Sequence, residues 1–170
     1  MKKELLIPRK TILARVNELA LQISSDYADR EPTLIGILNG VIFFFTELVM
    51  KMTIPSRIDF LRAASYGSGL SSSGTVNCTK DVEIPLQGEP VIIIEDIVDT
   101  GLTLREVIKR IEDRNPESIK ICALIDKPER RDGEIALDYC GFQIKEGFLV
   151  GYGLDHNEKY RYLQDIYVLK

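Results

Sequence analysis

Apolar residues recur along this chain with a period near four in some stretches and run continuously in others, and the alternation between the two marks a repeating strand and helix unit. Behind Pro8, which suits a first helical turn, Ile12, Val16, Leu19 and Ile23 fall at helical spacing and predict a helix over 8–28. Thr33-Leu-Ile-Gly-Ile-Leu38 predicts a strand, Asn39-Gly40 a turn, and the apolar run 41–52 a second helix. Ile58 and Phe60 alternate with Arg57, Asp59 and Arg62, the pattern of a more exposed strand. Val91-Ile-Ile-Ile94 reads as a strand covered on both faces. Leu104, Val107, Ile108 and Ile111 then share one face of a helix that Asn115-Pro116 brings to an end, and 119–125 predicts another strand. This rhythm predicts an α/β fold: an open, mostly parallel sheet flanked by helices. Short apolar runs at 142–144, 148–152 and 166–169 predict strands of a small hood spanning about 139–170 together with the N-terminal segment.

Composition narrows the functional classes. At 170 residues, 45% hydrophobic and 28% charged, the chain is expected to form one domain with an ordinary core. A formal net charge of −4 argues against a broad nucleic-acid partner, which leaves a basic footprint. The apolar runs fall short of the ~18 residues of a membrane span, and the N-terminal run is too short for a signal peptide. Cys78, Cys122 and Cys140 are odd in number and lack C-x-x-C spacing, so the expectation is reduced thiols, no zinc, and a cytoplasmic setting.

The chemistry concentrates where the continuous strand ends. Glu95, Asp96 and Asp99 follow it at once, and Thr100-Gly101-Leu102-Thr103 opens the next helix. In a parallel α/β sheet that junction is a phosphate site, because the first helical amides lack partners and the dipole favours an anion. Three neighbouring acids repel one another unless a cation or a reacting sugar accompanies them. No Lys follows Gly101, as a Walker A loop requires, and no G-x-G-x-x-G is present there. Ser65-Tyr-Gly-Ser-Gly-Leu-Ser-Ser-Ser-Gly74 is poor in core residues and reads as a lid over the sheet's edge, spanning about 64–81, with Ser65-Tyr66 as the pair that closes on a ligand.

The Glu95-Asp-x-x-Asp99-Thr-Gly-x-Thr103 run resembles the 5-phosphoribosyl-1-pyrophosphate (PRPP) signature of type I phosphoribosyltransferases. Adding Ser65-Tyr66, Asp126-Lys-Pro-x-Arg-Arg131 and Phe148-Leu-Val-Gly-Tyr-Gly-Leu-Asp155, nearly the whole chain is similar to the bacterial hypoxanthine-guanine phosphoribosyltransferases. The resemblance implies transfer of 5-phosphoribosyl from PRPP to N9 of hypoxanthine or guanine, giving IMP or GMP and pyrophosphate. It implies residues 99–103 on the 5-phosphate and Glu95 and Asp96 beside the ribose hydroxyls and Mg²⁺, with Asp155 also near the metal. Asp99 corresponds to the general base, Lys127 to the donor toward the purine 6-oxygen, Phe148 to the stacking aromatic, Leu149 and Asp155 to base contacts, and Arg161 to a pyrophosphate contact. Family members are dimers or tetramers, which implies a homodimer or homotetramer. Asn39, before Gly40, departs from the pattern: family members commonly carry a basic residue there, in a loop whose preceding peptide can be cis, and Asn can hydrogen-bond pyrophosphate without neutralising it. His156 reads as an exposed loop residue next to Asp155. Two rival readings are a non-catalytic PRPP-binding regulator and a receiver-like signalling domain; Lys127, Phe148, Asp155 and the negative charge favour the enzyme.

Overall fold

The computed structural model describes residues 2–65, 76–131 and 133–170. Its elements are β1 (Lys3–Ile7), α1 (Arg9–Asp26), β2 (Thr33–Ile37), α2 (Ile42–Lys51), β3 (Arg57–Ser65), β4 (Val76–Lys80), β5 (Pro90–Val98), α3 (Leu102–Glu112), β6 (Ser118–Asp126), β7 (Tyr139–Gln143), β8 (Phe148–Val150) and β9 (Ile166–Leu169), with a 3-10 turn at Pro128–Arg130.

The main sheet runs in the order β4-β3-β2-β5-β6-β7. β3, β2, β5, β6 and β7 are parallel, and β4 closes one edge antiparallel to β3. Alternate residues of the central strands feed opposite layers. Leu34, Ile92, Ile94, Cys122 and Leu124 pack with α1 and α2 residues such as Val16, Leu19, Phe44 and Leu48. Ile35, Ile37, Val91, Ile93, Ile121 and Ala123 pack against Leu104, Val107 and Ile111 of α3. Burying each such aliphatic side chain is worth about 1.5–3 kcal/mol, so a strand apolar at every position is stabilised only where helices cover both faces.

Local chemistry fixes the helix starts. Pro8 supplies a φ of −65° at the start of α1, and its carbonyl accepts from the Thr11 and Ile12 amides. α2 crosses the sheet closely because position 36 is glycine. A Cβ there would lie 2.7 Å from Phe60 Cδ1 and 2.9 Å from Phe45 Cδ2, two rings whose centroids are 4.6 Å apart.

The hood is a three-stranded antiparallel sheet, β1-β9-β8, joining the N-terminal segment to the C-terminus. Two expectations change. Tyr139–Gln143, expected in the hood, extends the main sheet in parallel with β6, which already presents a full row of backbone groups at that edge. Within the range expected as a lid, Ser65 ends β3 and Val76–Lys80 form edge strand β4; residues 66–75, Tyr66 among them, lie outside the described residues. α3 also ends at Glu112, three residues before Asn115, whose φ of 53° turns the chain ahead of Pro116. Among the described residues no helix is long and apolar enough to cross a membrane.

Candidate active site

At the carboxyl end of the parallel strands a cleft of about 460 Å³ is bounded by four segments: 37–40, 95–104, 127 with 147–149, and 154–161. Asn39, Gly40, Glu95, Asp96, Asp99, Thr100, Gly101, Leu102, Thr103, Lys127, Phe148, Leu149, Asp155 and Arg161 all line it. Segments more than 100 residues apart in sequence therefore share one cavity. Ser65 ends β3, but its side chain, like the whole of Tyr66, lies outside the described residues.

β5 carries the acids into the floor. Glu95 is 8% exposed. Its Oε1 accepts the Asp96 amide at 3.0 Å, and Asp96 Oδ1 accepts the Ile97 amide at 2.7 Å. Burial pushes both carboxyls above the ordinary carboxylate range, Glu95 well above it, with the Asp96 charge adding to the Glu95 shift. For Asp96 the rise is partly offset by hydrogen bonds to its carboxylate and by the Arg161 guanidinium. Close backbone approach makes this packing possible. A Cβ on Gly40 would overlap the Asp96 carboxylate, and one on Gly153 would overlap the Gly40 carbonyl. The Leu38–Asn39 peptide that leads into this contact is cis.

The phosphate-loop candidates sit where β5 passes into α3. Gly101 adopts φ +80° ahead of the helix, and a Cβ there would also overlap Ile135 Cδ1, so the position demands glycine twice over. No side chain caps α3, which leaves the first-turn amides directed outward for an anion.

On the facing wall Lys127 follows β6 and is only 3% exposed. Its Nζ donates to the Gly147 carbonyl at 2.8 Å and its amide to Val98 O at 2.9 Å. Phe148 opens β8 half exposed, and Leu149 behind it is buried. On the far side Arg161 pairs with Asp155 at 2.8 Å and Glu158 at 3.1 Å and donates to Gly153 O at 2.8 Å. Its Nε is buried and has no acceptor among the described residues. Such an orphaned donor fits an anionic ligand.

Sequence reasoning missed three supports. Gly147 supplies the carbonyl that holds Lys127. Leu154 lines the cleft beside Asp155. A buried ion pair joins Arg131 to Asp126, with Arg131 Nη1 also donating to Ile135 O at 2.8 Å. Asp126 and Arg131 bracket the Asp-Lys-Pro-x-Arg-Arg run, but two opposite charges five positions apart are too common to reveal the pairing.

Among the described residues no group of three or more His, Cys, Asp or Glu side chains is close enough to hold a metal by itself, and Asp155 is taken up by Arg161. The Glu95–Asp96 pair supplies hard oxygens, which fits Mg²⁺ bound through one or two carboxylates and completed by substrate oxygens and water.

The sequence matches the family described as Phosphoribosyl transferase domain over residues 7–157. It is 41% identical over 162 residues to the hypoxanthine phosphoribosyltransferase of Salmonella typhimurium, covering 94% of this chain and 91% of that one. It is 40% identical over 168 residues to the hypoxanthine-guanine phosphoribosyltransferase of Bacillus subtilis, covering 99% and 93%. The crystal structure of a Bacillus anthracis hypoxanthine-guanine phosphoribosyltransferase with HEPES in its active site superposes with a TM-score of 0.93 at 39% identity, covering 98% of each chain. The chain belongs to the phosphoribosyltransferase family, within its hypoxanthine-guanine branch. It is accordingly an enzyme, a pentosyl-transferring transferase.

The buried acid pair has a consequence for stability. Between the ordinary carboxylate pKa and the raised native one, the folded chain holds protons that the unfolded chain has released. Stability from this pair is therefore lost as pH rises through that window. Glu95→Gln, which keeps an oxygen for the Asp96 amide, should raise the unfolding free energy at about pH 8 and flatten its decline above roughly pH 4.3. Urea unfolding across pH in the absence of ligand checks this, and a variant less stable than the parent at the alkaline end would contradict it.

Proposed function

We propose that this cleft transfers the 5-phosphoribosyl group of PRPP to N9 of hypoxanthine or guanine, releasing pyrophosphate and giving IMP or GMP in purine salvage. The observation that carries the reading is the presence, in one cavity, of an uncapped helix N-terminus and a buried lysine beside a half-exposed aromatic. The first element suits a sugar phosphate, and the second a flat heterocycle with an acceptor at its rim.

The first-turn amides of α3 with Thr100 and Thr103 hold the 5-phosphate. Glu95 and Asp96 face the ribose hydroxyls. The pyrophosphate lies between Asn39-Gly40 and Arg161, whose unengaged Nε supports that placement. Glu95 and Asp96 would hold Mg²⁺, which would supply charge neutralisation for the pyrophosphate leaving group. In the reaction the C1′–oxygen bond to pyrophosphate breaks while the C1′–N9 bond forms, through a loosely bonded, cationic sugar carbon. Asp99 takes the proton that the base's imidazole ring must lose. Phe148 stacks on the base, Leu149 and Asp155 contact its edge, and Lys127 donates to the 6-oxygen. The role proposed for Ser65-Tyr66, of which only the Ser65 backbone is described, is to keep water from the sugar cation.

Three free cysteines support a reducing, cytoplasmic setting. Ile42, Phe43 and Met50 leave apolar surface exposed on α2, which supports assembly as a homodimer or homotetramer. Light scattering should accordingly give a mass of two or four chains, and a monomer at working concentration would remove this part of the proposal.

Asp99→Asn should preserve the fold and PRPP binding while slowing turnover at least about tenfold, as loss of a general base does. Unchanged turnover with chemistry shown to be rate-limiting would take Asp99 out of that role. Lys127 offers donors only, so adenine, with an amino group at position 6, places a donor against a buried ammonium. Sites built this way reject the mismatched analogue by up to about 10⁴–10⁵-fold. Pyrophosphate release assayed with hypoxanthine, guanine, xanthine and adenine should show the first two used and adenine nearly inert. Lys127→Ala should lower kcat/KM for both oxopurines and narrow the gap to adenine, with PRPP affinity nearly intact. Efficient use of adenine by the unaltered chain would sink the base assignment and spare the PRPP site.

A further inference from the structure

His156 is the only histidine of the chain, and the reaction above does not use it. It follows Asp155 in the turn that closes the cleft, and its ring meets that of Phe148 edge to face, with centroids 5.1 Å apart and planes at 83°. Phe148 needs such a neighbour. It is 49% exposed at the start of a three-residue strand, so packing beneath it is partial, and a loosely held ring loses rotamer freedom when a flat ligand settles on it.

His156 is itself well anchored. Its backbone exchanges two hydrogen bonds with Lys159, both 3.1 Å. Its Nε2 lies 3.4 Å from Asn157 Nδ2. The carboxylate of Asp155 accepts the Glu158 amide at 2.8 Å and pairs with Arg161 at 2.8 Å. Asn157, Glu158 and Tyr160 take φ values of 51°, 58° and 76°, a region that side chains other than glycine enter at a cost. These contacts, rather than local preference, hold the turn. The imidazole is thus presented to Phe148 from a fixed frame.

We propose that His156 is a positioning residue for base binding: its edge-to-face contact holds the Phe148 ring in the orientation on which the purine stacks. The proposal rests on the assignment of Phe148 to the base subsite. His156 acts through Phe148 and touches no reacting atom, so its effect falls on the KM for the base and leaves kcat and the KM for PRPP in place. The contact needs an aromatic edge and no particular charge, so another aromatic ring can replace the imidazole.

The test is steady-state kinetics on the full chain for His156→Ala, His156→Phe, Phe148→Leu and the double variant His156→Ala/Phe148→Leu. His156→Ala should raise KM for hypoxanthine and guanine about two- to tenfold, the range an aromatic pair supplies. His156→Phe should restore it. In the Phe148→Leu background the His156→Ala change should add nothing further, since the two act as one unit. An unchanged base KM in His156→Ala, an equal increment in both backgrounds, or failure of phenylalanine to rescue overturns the proposal. If Phe148→Leu alone leaves the base KM unchanged, the base-subsite reading itself has failed, and this inference falls with it.

Discussion

Two adjacent carboxylates near the end of the central strand, Glu95 buried and Asp96 partly so, set the terms for everything around them. Desolvation opposes the ionisation of both, the Asp96 charge further opposes that of Glu95, and the site answers with local devices. Each carboxylate accepts the amide of the residue that follows it. Arg161 approaches Asp96 from a turn 65 positions along the chain. Glycine at 40 lets its backbone close on the Asp96 carboxylate, which any side chain there would displace, and glycine at 153 lets a second backbone close on the Gly40 carbonyl. Segments 38–40, 95–96 and 153–161 are therefore interlocked by the acid pair, and the geometry of the cleft follows from how closely they pack.

A second buried charge organises the opposite wall. Asp126 and Arg131 are each more than nine-tenths buried and pair with one another. Removing one partner of such a pair costs roughly 3–5 kcal/mol, because the remaining charge has no solvent. Arg131 reaches Ile135 O, and Ile135 packs on Gly101. Lys127, next to Asp126, donates its amide to Val98 O, one residue before Asp99. Lys127 and the start of the 99–103 loop are thus fastened to one another through backbone contacts. Whatever fixes the height of α3 above the sheet also fixes the distance between these two walls of the cleft.

The parts legible in the sequence were those with short-range causes. Val91–Ile94 and the acids near it announce a buried strand running into a polar helix start, and the structure shows that strand, carried on through Glu95 and Asp96 to Val98 before α3 begins at Leu102. The parts that were not legible depend on partners. Lys3–Ile7 shows no alternation and four exposed positions, and it becomes a strand because β9 pairs with it. Tyr139–Gln143 has the same short, half-apolar character whether it ends a main sheet or joins a hood, and only the open edge of β6 decides. Val76–Lys80, polar and next to a Ser-Gly run, is a strand because the edge of β3 away from β2 is open to it. In the cleft, residue types at 95–103 carried their own chemical argument, whereas Lys127 resembled any surface lysine until the resemblance of the whole chain gave it a context. Its burial against Gly147 O is a tertiary fact that its neighbours in sequence do not encode.

The balance of charge in the cleft bears on the polyanionic substrate proposed for it. Among the described lining residues Glu95, Asp96, Asp99 and Asp155 face only Lys127 and Arg161 as cations, and both already serve acceptors within the chain. Asn39 contributes a hydrogen-bonding amide and no charge. A pyrophosphate entering that environment alone would meet net repulsion. The α3 amides would offset it at the helix end of the cleft, where the dipole is worth about 0.3–1 kcal/mol per favourable charge and more when partly buried. At the other end the same acids that repel a bare anion attract a divalent cation carried with it. Both carboxyls are raised in the chain alone, and a counter-charge brought beside them would lower them again. On the proposed reading, PRPP accompanied by a divalent cation would therefore suit this cleft better than the bare anion.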